Sequence, residues 1–324
     1  MDTPVSDRKD GARTRGRHRV ARILLRVAIG VLAVVMAAPV GLLIAFQIAN
    51  RTNGSLVSSG ETRRYLLHVP DSYDGSPVPL VVDLHGFAQW PANQASVSRW
   101  SRLADREGFI VVHPMGTGLP LRWASHTPGS EETSRDVRFL TDLIDHLAAE
   151  YAIDPARVFV SGISNGGGMA FVMSCEASGR VAAIGTVAGL FTYPWDACER
   201  ERPVPLIAFH GTADPIVPFE GGPLGRPGGE APDVRAWVSD YAARNACTSA
   251  DPLPVHGAAS GTRWSGCDQG ADVVLHILRG GGHTWPGGGR LPEFITGPTL
   301  ADIDATRTMW DFFSQHPLPV GDLS

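Results

Sequence analysis

The chain contains little lysine and little cysteine. Lys9 is the only lysine among the 28 basic residues, so nearly all cations are arginine. The four cysteines include no C-x-x-C pair, which argues against a zinc site, and we expect no bound metal. The phosphate-binding pattern G-x-x-x-x-G-K-[ST] is also missing, so the glycine-rich stretches do not indicate a nucleotide cradle.

A net positive charge is found only in the amino-terminal part. Residues 1–50 hold eight of the 28 basic residues and three of the 33 acidic ones, which gives them a net charge of +5 and leaves −10 for the rest. An acidic domain repels phosphate backbones, so a nucleic-acid partner is not expected. The hydrophobic content after residue 50 is typical of one globular domain.

A long apolar run occupies residues 27–48, with Gln47 as its only polar side chain. As a helix it is long enough to span a bilayer. The arginines that precede it favour a cytoplasmic amino terminus: Arg13, Arg15, Arg17, Arg19, Arg22 and Arg26. We therefore predict a basic cytoplasmic tail over 1–26, a transmembrane signal-anchor helix over 27–48, a linker over 49–60 and a globular domain over 61–324, held outside the cell membrane.

A cleaved signal peptide is the alternative for this segment. Its apolar core is usually shorter, and Met36-Ala37-Ala38 offers weak cleavage chemistry in the middle of the run. Cleavage would make the protein secreted, and both readings place the domain outside. Disulfides persist there, and four cysteines allow three connectivities. Proximity in sequence favours Cys175 with Cys198 and Cys247 with Cys267.

Strand-like and helix-like patterns alternate after the linker. Continuous apolar segments, typical of parallel strands covered on both faces, predict most of the strands, and residues at helical spacing predict the helices between them. The alternation indicates a mostly parallel, doubly wound α/β sheet. Strands are expected over 63–69, 78–84, 109–113, 158–160, 182–187, 206–210 and 272–278, and helices over 136–151, 234–245 and 306–315. The segment 221–233 is rich in glycine and proline and predicts a surface loop near the site.

Ser164 lies in Gly162-Ile163-Ser164-Asn165-Gly166, between a predicted strand and a predicted helix. This is the pattern of the nucleophile elbow of an α/β-hydrolase, where a strained turn exposes the serine hydroxyl above the sheet. The pentapeptide is weak evidence alone, because the chain contains 37 glycines. Its partners decide the interpretation.

In this fold the acid and the histidine follow the serine in that order. His283 comes just after the last predicted strand, and Asp214 follows the strand before it. A serine needs such a base, and the base needs an acid to hold its tautomer. An Asp-Pro turn residue that caps its own backbone is the alternative for Asp214. Other candidates fit less well by their positions: His210, His256, His276, Asp233, Asp240 and Asp272.

The oxyanion of a tetrahedral intermediate needs two backbone amides. One is expected from Asn165, directly after the serine, and the other from Phe87 in the loop after an early strand. His85 is interpreted as a structural hydrogen-bonding residue. Trp123 and Trp285 are candidate walls of an acyl pocket, with core packing as the alternative for each.

These segments resemble the motifs of the secreted polyhydroxybutyrate depolymerase and feruloyl esterase family. The matching residues are His85-Gly86, Gly162 to Gly167, His210 to Asp214 with Val217-Pro218, and Gly281 to Gly287. The resemblance covers about residues 61–317. It implies a carboxylic ester hydrolase without a cofactor that acts on a small or oligomeric ester, and it makes the two cysteine pairs named above plausible.

The chain also departs from that family. Phe87 stands where many members have a cysteine, and Arg122-Trp123-Ala124 stands where many have a tryptophan-rich segment with another cysteine. The sequence thus predicts that residues 61–324 form an α/β-hydrolase catalytic domain, a serine esterase that uses Ser164, His283 and Asp214. An acyltransferase of the cell envelope that uses the same residues is the alternative, and a non-catalytic binding protein on the same fold is a third hypothesis.

Overall fold

A computed structural model of the chain describes Arg26, Gly30, Met36, Ala37 and residues 51–224 and 229–319. The chain divides into two units, residues 1–49 and residues 50–324. In the first unit the four described residues are helical, and the rest of the predicted membrane segment lies outside the described residues. In the described part of the chain, no helix combines the length and the apolar character needed to cross a bilayer.

The second unit is built on a ten-stranded sheet. Its strands are β1 (Gly54–Ser58), β2 (Glu61–His68), β3 (Val78–Leu84), β4 (Ile110–Pro114), β5 (Ile153–Ile163), β6 (Ala183–Val187), β7 (Leu206–Gly211), β10 (Ser249–Pro252), β11 (Ala259–Ser265) and β12 (Val273–Leu278). Two short strands, β8 (Gly222–Pro223) and β9 (Glu230–Ala231), pair separately. In space the strands of the main sheet follow the order β1-β2-β4-β3-β5-β6-β7-β12-β11-β10.

The six central strands of the sheet, from β4 to β12, run parallel. Antiparallel strands close both edges, β2 and β1 at one and β11 and β10 at the other. Apart from the first five residues of β5, the central strands are buried almost throughout, as their apolar composition predicts. Their carboxyl ends meet along one edge of the sheet, where ligands bind in open α/β folds.

Helices cover both faces of the sheet, as a doubly wound fold requires. They are α1 (Pro91–Ser98), α2 (Trp100–Glu107), α3 (Glu131–Glu150), α4 (Asn165–Glu176), α5 (Val234–Arg244), α6 (Glu293–Thr296) and α7 (Ala305–Phe313). Two separate clusters of buried residues form the core. One includes Phe139 of α3, Phe171 of α4 and Trp237 of α5, and the other includes Trp100 of α2 and Phe313 of α7.

The linker prediction for residues 49–60 is wrong in its second half, because Gly54–Ser58 forms β1. This strand pairs with β2 through a two-residue turn in which Ser59 and Gly60 both have positive φ, at 52° and 78°. Such a turn matches the twist of a hairpin. Leu56 packs against the core while its neighbours face solvent, so the polar composition of the segment concealed a half-buried edge strand.

Two disulfides are present. Cys175, in α4, is bonded to Cys198, and Cys247, after α5, is bonded to Cys267. Both pairings agree with the prediction. Each closes a loop of about twenty residues, which in the chain-entropy model stabilises the fold by roughly 3 kcal/mol.

Candidate active site

Ser164 occupies a strained turn between β5 and α4. Its φ of 56° and ψ of −120° lie in a region that residues with a side chain rarely adopt. A Cβ on Gly162 would lie 2.5 Å from the carbonyl carbon of Gly166, and a Cβ on Gly166 would lie 2.3 Å from the Leu84 oxygen. Only glycine at these two positions therefore allows strand and helix to cross so closely. The turn presents the serine at the carboxyl end of β5.

Asp214 follows β7, and its two carboxylate oxygens have different partners. Oδ1 accepts hydrogen bonds from the amides of Ile216 and Val217, both at 2.8 Å, which is the backbone-capping role of an Asp-Pro turn. Oδ2 lies 2.8 Å from Nδ1 of His283. The turn and the histidine pairing, which the sequence presents as alternatives, therefore occur in the same residue.

His283 lies on the loop after β12, and backbone hydrogen bonds hold this loop in place. Its amide donates to the Thr296 oxygen, and the preceding Gly282 amide donates to the Pro298 oxygen at 2.9 Å. A Cβ on Gly282 would lie 2.1 Å from the Thr296 oxygen, so this position requires glycine. Because Oδ2 of Asp214 holds Nδ1, the pairing leaves Nε2 as the ring nitrogen available to accept a proton.

A second histidine contacts Asp214. Nε2 of His210, in β7, lies 3.4 Å from Oδ2 of Asp214 and 2.9 Å from the Val217 oxygen. Burial would raise the pKa of Asp214, but the hydrogen bonds from His210 and His283 outweigh burial and hold that pKa well below its usual range. Asp214 is therefore an anion at neutral pH. Sequence reasoning considered His210 only as a base, although its spacing of four residues from Asp214 in one turn was the available signal.

The predicted oxyanion donors lie beside the serine. Asn165 is the first residue of α4, and first-turn amides have no partner within their own helix. In the described part of the chain, the Phe87 amide makes no hydrogen bond, whereas its neighbours Gly86 and Ala88 both donate. The arrangement leaves two backbone donors available on the carboxyl-end side of the sheet.

Asn165 also makes side-chain contacts that sequence reasoning missed. Its Oδ1 accepts from the Trp123 amide at 2.7 Å, and its Nδ2 donates to the Trp123 oxygen and to Oγ of Ser125, both at 2.9 Å. Nε1 of Trp123 in turn donates to the His85 oxygen at 3.0 Å. The loop that carries the predicted oxyanion donor Phe87 is therefore tied to the residue that follows Ser164.

His85 has the structural role predicted from the sequence. Its Nδ1 donates to the Gly86 oxygen at 2.8 Å, and its Nε2 accepts from the Gly116 amide at 3.0 Å. Burial lowers the pKa of His85 to about 4, so the ring is neutral and holds one proton. It joins the loop after β3 to the loop after β4.

A cavity of about 310 Å³ opens beside Ser164. Its lining residues are mostly apolar: Phe87, Trp123, Leu190, Ile216, Val217 and Leu224, together with Arg122, His126, Ser164 and Asn165. Leu224 belongs to the segment predicted as a loop near the site; it is buried after the short strand β8, and residues 225–228 lie outside the description. The size and composition of the cavity suit a small organic group.

The structure separates the two tryptophans proposed as pocket walls. Trp123 lines the cavity and also packs against Phe139 in the core. Trp285 is fully buried and is not among the residues that line the cavity; its Nε1 donates to Oγ1 of Thr306 at 2.9 Å. The pocket interpretation of Trp285 is therefore corrected to core packing, because the loop after His283 turns the indole inward against α7.

Ser164 Oγ makes no hydrogen bond in the described part of the chain, so no bond between it and the His283 ring is formed in this state. Such contacts are often long in enzymes without substrate. Among the described residues, no group of three or more His, Cys, Asp or Glu side chains is arranged to hold a metal ion. The geometry offers a serine at an elbow, an Asp–His pair, and two free amides.

A parallel sheet with these groups at the carboxyl ends of its strands defines an α/β-hydrolase-like esterase fold. Comparison with known proteins agrees: an acetyl xylan esterase from Aspergillus awamori superimposes with a TM-score of 0.55 over 78% of this chain and 94% of that one, at 15% identity. This likeness concerns the fold alone.

Sequence comparison specifies the family. Residues 63–197 match the family model described as Esterase PHB depolymerase. The putative esterase NocK of Nocardia uniformis subsp. tsuyamanensis is 30% identical over 292 residues, which cover 82% of this chain and 83% of that protein. Feruloyl esterase C of Emericella nidulans is 28% identical over 81% of this chain and 87% of the enzyme. The chain belongs to the polyhydroxybutyrate depolymerase and feruloyl esterase-like α/β-hydrolases, and it is a carboxylic ester hydrolase.

A longer relative shares the same domain. The bifunctional acetylxylan esterase/xylanase XynS20E of Neocallimastix patriciarum is 30% identical over 244 residues. The match covers 73% of this chain but only 31% of that protein.

Proposed function

We propose that this esterase works through a covalent acyl-enzyme on Ser164, with His283 as the base and Asp214 as the acid that orients it. The observation that carries the proposal is the 2.8 Å contact between Oδ2 of Asp214 and Nδ1 of His283, on loops that follow neighbouring parallel strands. Chain order, burial and the strained φ of Ser164 support the same roles.

In this mechanism the serine hydroxyl attacks the ester carbonyl carbon, and Nε2 of His283 takes the hydroxyl proton. The anionic Asp214 stabilises the imidazolium that forms. The negative carbonyl oxygen accepts hydrogen bonds from the amides of Phe87 and Asn165. His283 then returns its proton to the leaving alcohol, and the acyl group stays on Ser164. In the second half of the reaction, His283 takes a proton from a water molecule as that water attacks the acyl carbonyl carbon. His283 then returns this proton to the Ser164 oxygen, and the acid is released.

The replacement Ser164→Ala tests the nucleophile. We expect kcat for p-nitrophenyl butyrate to fall by at least about a thousandfold with the fold retained, because only the covalent route is removed. A fluorophosphonate probe should label the wild-type chain and not the variant. Ser134→Ala, which changes an exposed serine on α3, is the matched control. Undiminished turnover or labelling of Ser164→Ala would refute the assignment and favour a different nucleophile.

The substrate class we propose is an ester whose acyl group is small enough for the cavity beside Ser164. The names of the relatives point to acetyl and feruloyl esters, and the family model points to hydroxybutyrate esters. A panel of acetyl, butyryl, feruloyl and hydroxybutyryl esters, tested on residues 51–324, measures this preference as kcat/KM. If the cavity selects the acyl group only by apolar contact, kcat/KM should rise with the length of the acyl chain until that chain fills the cavity of about 310 Å³.

We also propose that the enzyme is held at the cell membrane by residues 27–48 with its catalytic domain outside. The support is the length of the apolar run and the arginines before it. Carbonate extraction of membranes, followed by protease treatment of intact cells, tests both points. A catalytic domain that is released by carbonate or shielded from external protease would contradict the proposal.

A further inference from the structure

Arg122 is a cationic residue in the lining of a mostly apolar cavity. Ten of the described residues line the cavity; six of them are apolar, and none of the ten carries a carboxylate. Within this described set, Arg122 alone is permanently charged. A cationic residue therefore contributes to the lining of the same cavity as the proposed nucleophile.

The backbone at Arg122 is fixed on both sides. Its amide and carbonyl form a two-way bridge with Thr117, at 2.9 and 3.0 Å. The next residue, Trp123, is held by the side chain of Asn165, and the Ala124 amide donates to Oδ2 of Asp136 at 2.9 Å. Asp136 is itself buried and paired with Arg63. The backbone that carries the Arg122 side chain is thus held in place next to the catalytic centre.

Across residues 51–224 and 229–319 the guanidinium of Arg122 makes no hydrogen bond or ion pair. A Cβ on Gly118 would lie 2.6 Å from Nη1 of Arg122, so the glycine leaves room for the side chain. The side chain is only partly exposed. Five donors in a planar fork are therefore left to a ligand.

We propose that Arg122 is a specificity-determining residue that binds a free carboxylate on the substrate, so that the enzyme prefers esters that carry a second, anionic group. A carboxylate matches the guanidinium fork and forms two charge-assisted hydrogen bonds with it. The apolar walls hold the carbon chain between the ester and the carboxylate. The proposal rests on the ester hydrolysis described above, in which water cleaves the ester into acid and alcohol and the second carboxylate is unchanged.

The carboxylate can belong to either part of the ester, and two pairs of substrates distinguish these cases. For the acyl side, mono-p-nitrophenyl adipate is compared with p-nitrophenyl hexanoate. For the alcohol side, 3-butyryloxybutanoate is compared with the neutral 3-butyryloxybutanamide. The measured quantity is the ratio of kcat/KM for the anionic ester to that for its neutral partner, after correction for spontaneous hydrolysis.

In one of the two pairs, Arg122→Gln should lower this ratio by roughly 10- to 100-fold, the range expected when charge-assisted hydrogen bonds are lost. Arg122→Lys should retain part of the ratio, because it keeps the charge and loses the fork. The matched control Arg138→Gln changes an exposed arginine on α3 that does not line the cavity, and should leave the ratio as in the wild type.

The outcomes separate this proposal from the proposed function. Neutral esters that are hydrolysed by the wild type but not by Ser164→Ala support the mechanism independently of Arg122. If the ratio is then the same in wild type and Arg122→Gln for both pairs, or falls equally in Arg138→Gln, the carboxylate proposal is overturned. A wild-type enzyme that hydrolyses none of the four esters overturns both.

Discussion

At the scale of single residues, Asp214 shows how one side chain combines two roles. Oδ1 is saturated by two backbone amides, which fixes the carboxylate in its turn, while Oδ2 faces two histidines. A carboxylate that accepts several hydrogen bonds keeps its charge even when it is buried. The position of His283 therefore depends on a turn that is already rigid.

In the proposed mechanism His210 is a positioning residue, because its contact with Asp214 is its link to His283. The change His210→Leu removes a donor from Oδ2 and leaves the Val217 oxygen without its partner. We expect kcat for a p-nitrophenyl ester to fall about tenfold while KM stays within about twofold, since His210 is not among the described residues that line the cavity. Steady-state kinetics with a short acyl ester provides the measurement.

The conservative variant His210→Gln retains a side-chain donor and should recover most of kcat. A merely structural role would instead lower the free energy of unfolding in both variants without separating kcat from KM. Equal losses of kcat in the leucine and glutamine variants would contradict a role based on hydrogen bonding to Asp214.

Asn165 has one role that could be predicted from the sequence and side-chain contacts that could not. The position after the serine predicts a backbone donor, because the elbow pattern is local. Its side-chain partners lie 42 and 40 residues away in the segment that holds Trp123 and Ser125. No local pattern encodes such a pairing, since it depends on how the loop after β4 folds back over the sheet. For the same reason the sequence does not show that Arg122 lines the cavity.

At the scale of elements, the loop after His283 is anchored by the amino-terminal end of α7. Nε1 of Trp285 donates to Oγ1 of Thr306, and the Thr306 hydroxyl donates to the Ser98 oxygen at the end of α1. These groups are buried. One hydroxyl therefore joins the histidine loop, α1 and α7, and the tryptophan serves the site by packing rather than by contact with substrate.

Thr306→Val tests this junction. Valine has the same shape, but it leaves a buried indole N–H and a buried carbonyl without partners, so the free energy of unfolding should fall by about 2 kcal/mol. Urea denaturation followed by tryptophan fluorescence measures the change. Thr308→Val, in the same helix, removes an exposed hydroxyl that bonds to Asp304, and its cost should stay below about 0.5 kcal/mol. Similar costs at both positions would show that the junction adds no stability.

The predicted and missed strands differ in a physical way. The six central strands could be predicted because both of their faces are covered, which makes them continuous apolar runs. β1, β10 and β11 lie at the sheet edges, and their residues are largely half-buried or exposed. Their pairing is set by hairpin turns and neighbouring strands, so their composition resembles that of loops.

At the scale of the whole molecule, the order of the strands brings the site together. Ser164 follows β5, Asp214 follows β7 and His283 follows β12, and β5, β6, β7 and β12 are consecutive in the sheet. Residues up to 119 positions apart thus reach one edge because parallel strands all end there. This relation could be predicted from the chain order. The depth and lining of the cavity could not, since they depend on loops from both sides of that edge.

Acid should destabilise the domain through its buried histidines. Burial lowers the pKa values of His85 and His276 from 6.5 to about 4. Between pH 6.5 and pH 4 the unfolded chain therefore binds a proton at each position that the folded chain does not. By linkage, the free energy of unfolding falls as the pH falls through this window, by up to about 3 kcal/mol for each histidine.

The change His276→Phe isolates one of these contributions. The His276 ring lies in β12 and stacks on Phe209, with ring centroids 4.7 Å apart, so phenylalanine preserves the packing and removes the titrating group. Urea denaturation at pH 7 and pH 4.5 should show a smaller acid-induced loss of stability in the variant than in the wild type. His256→Phe, at an exposed position, is the matched control and should keep the wild-type loss. An identical loss in wild type and His276→Phe would mean that the protonation of His276 does not contribute to acid unfolding.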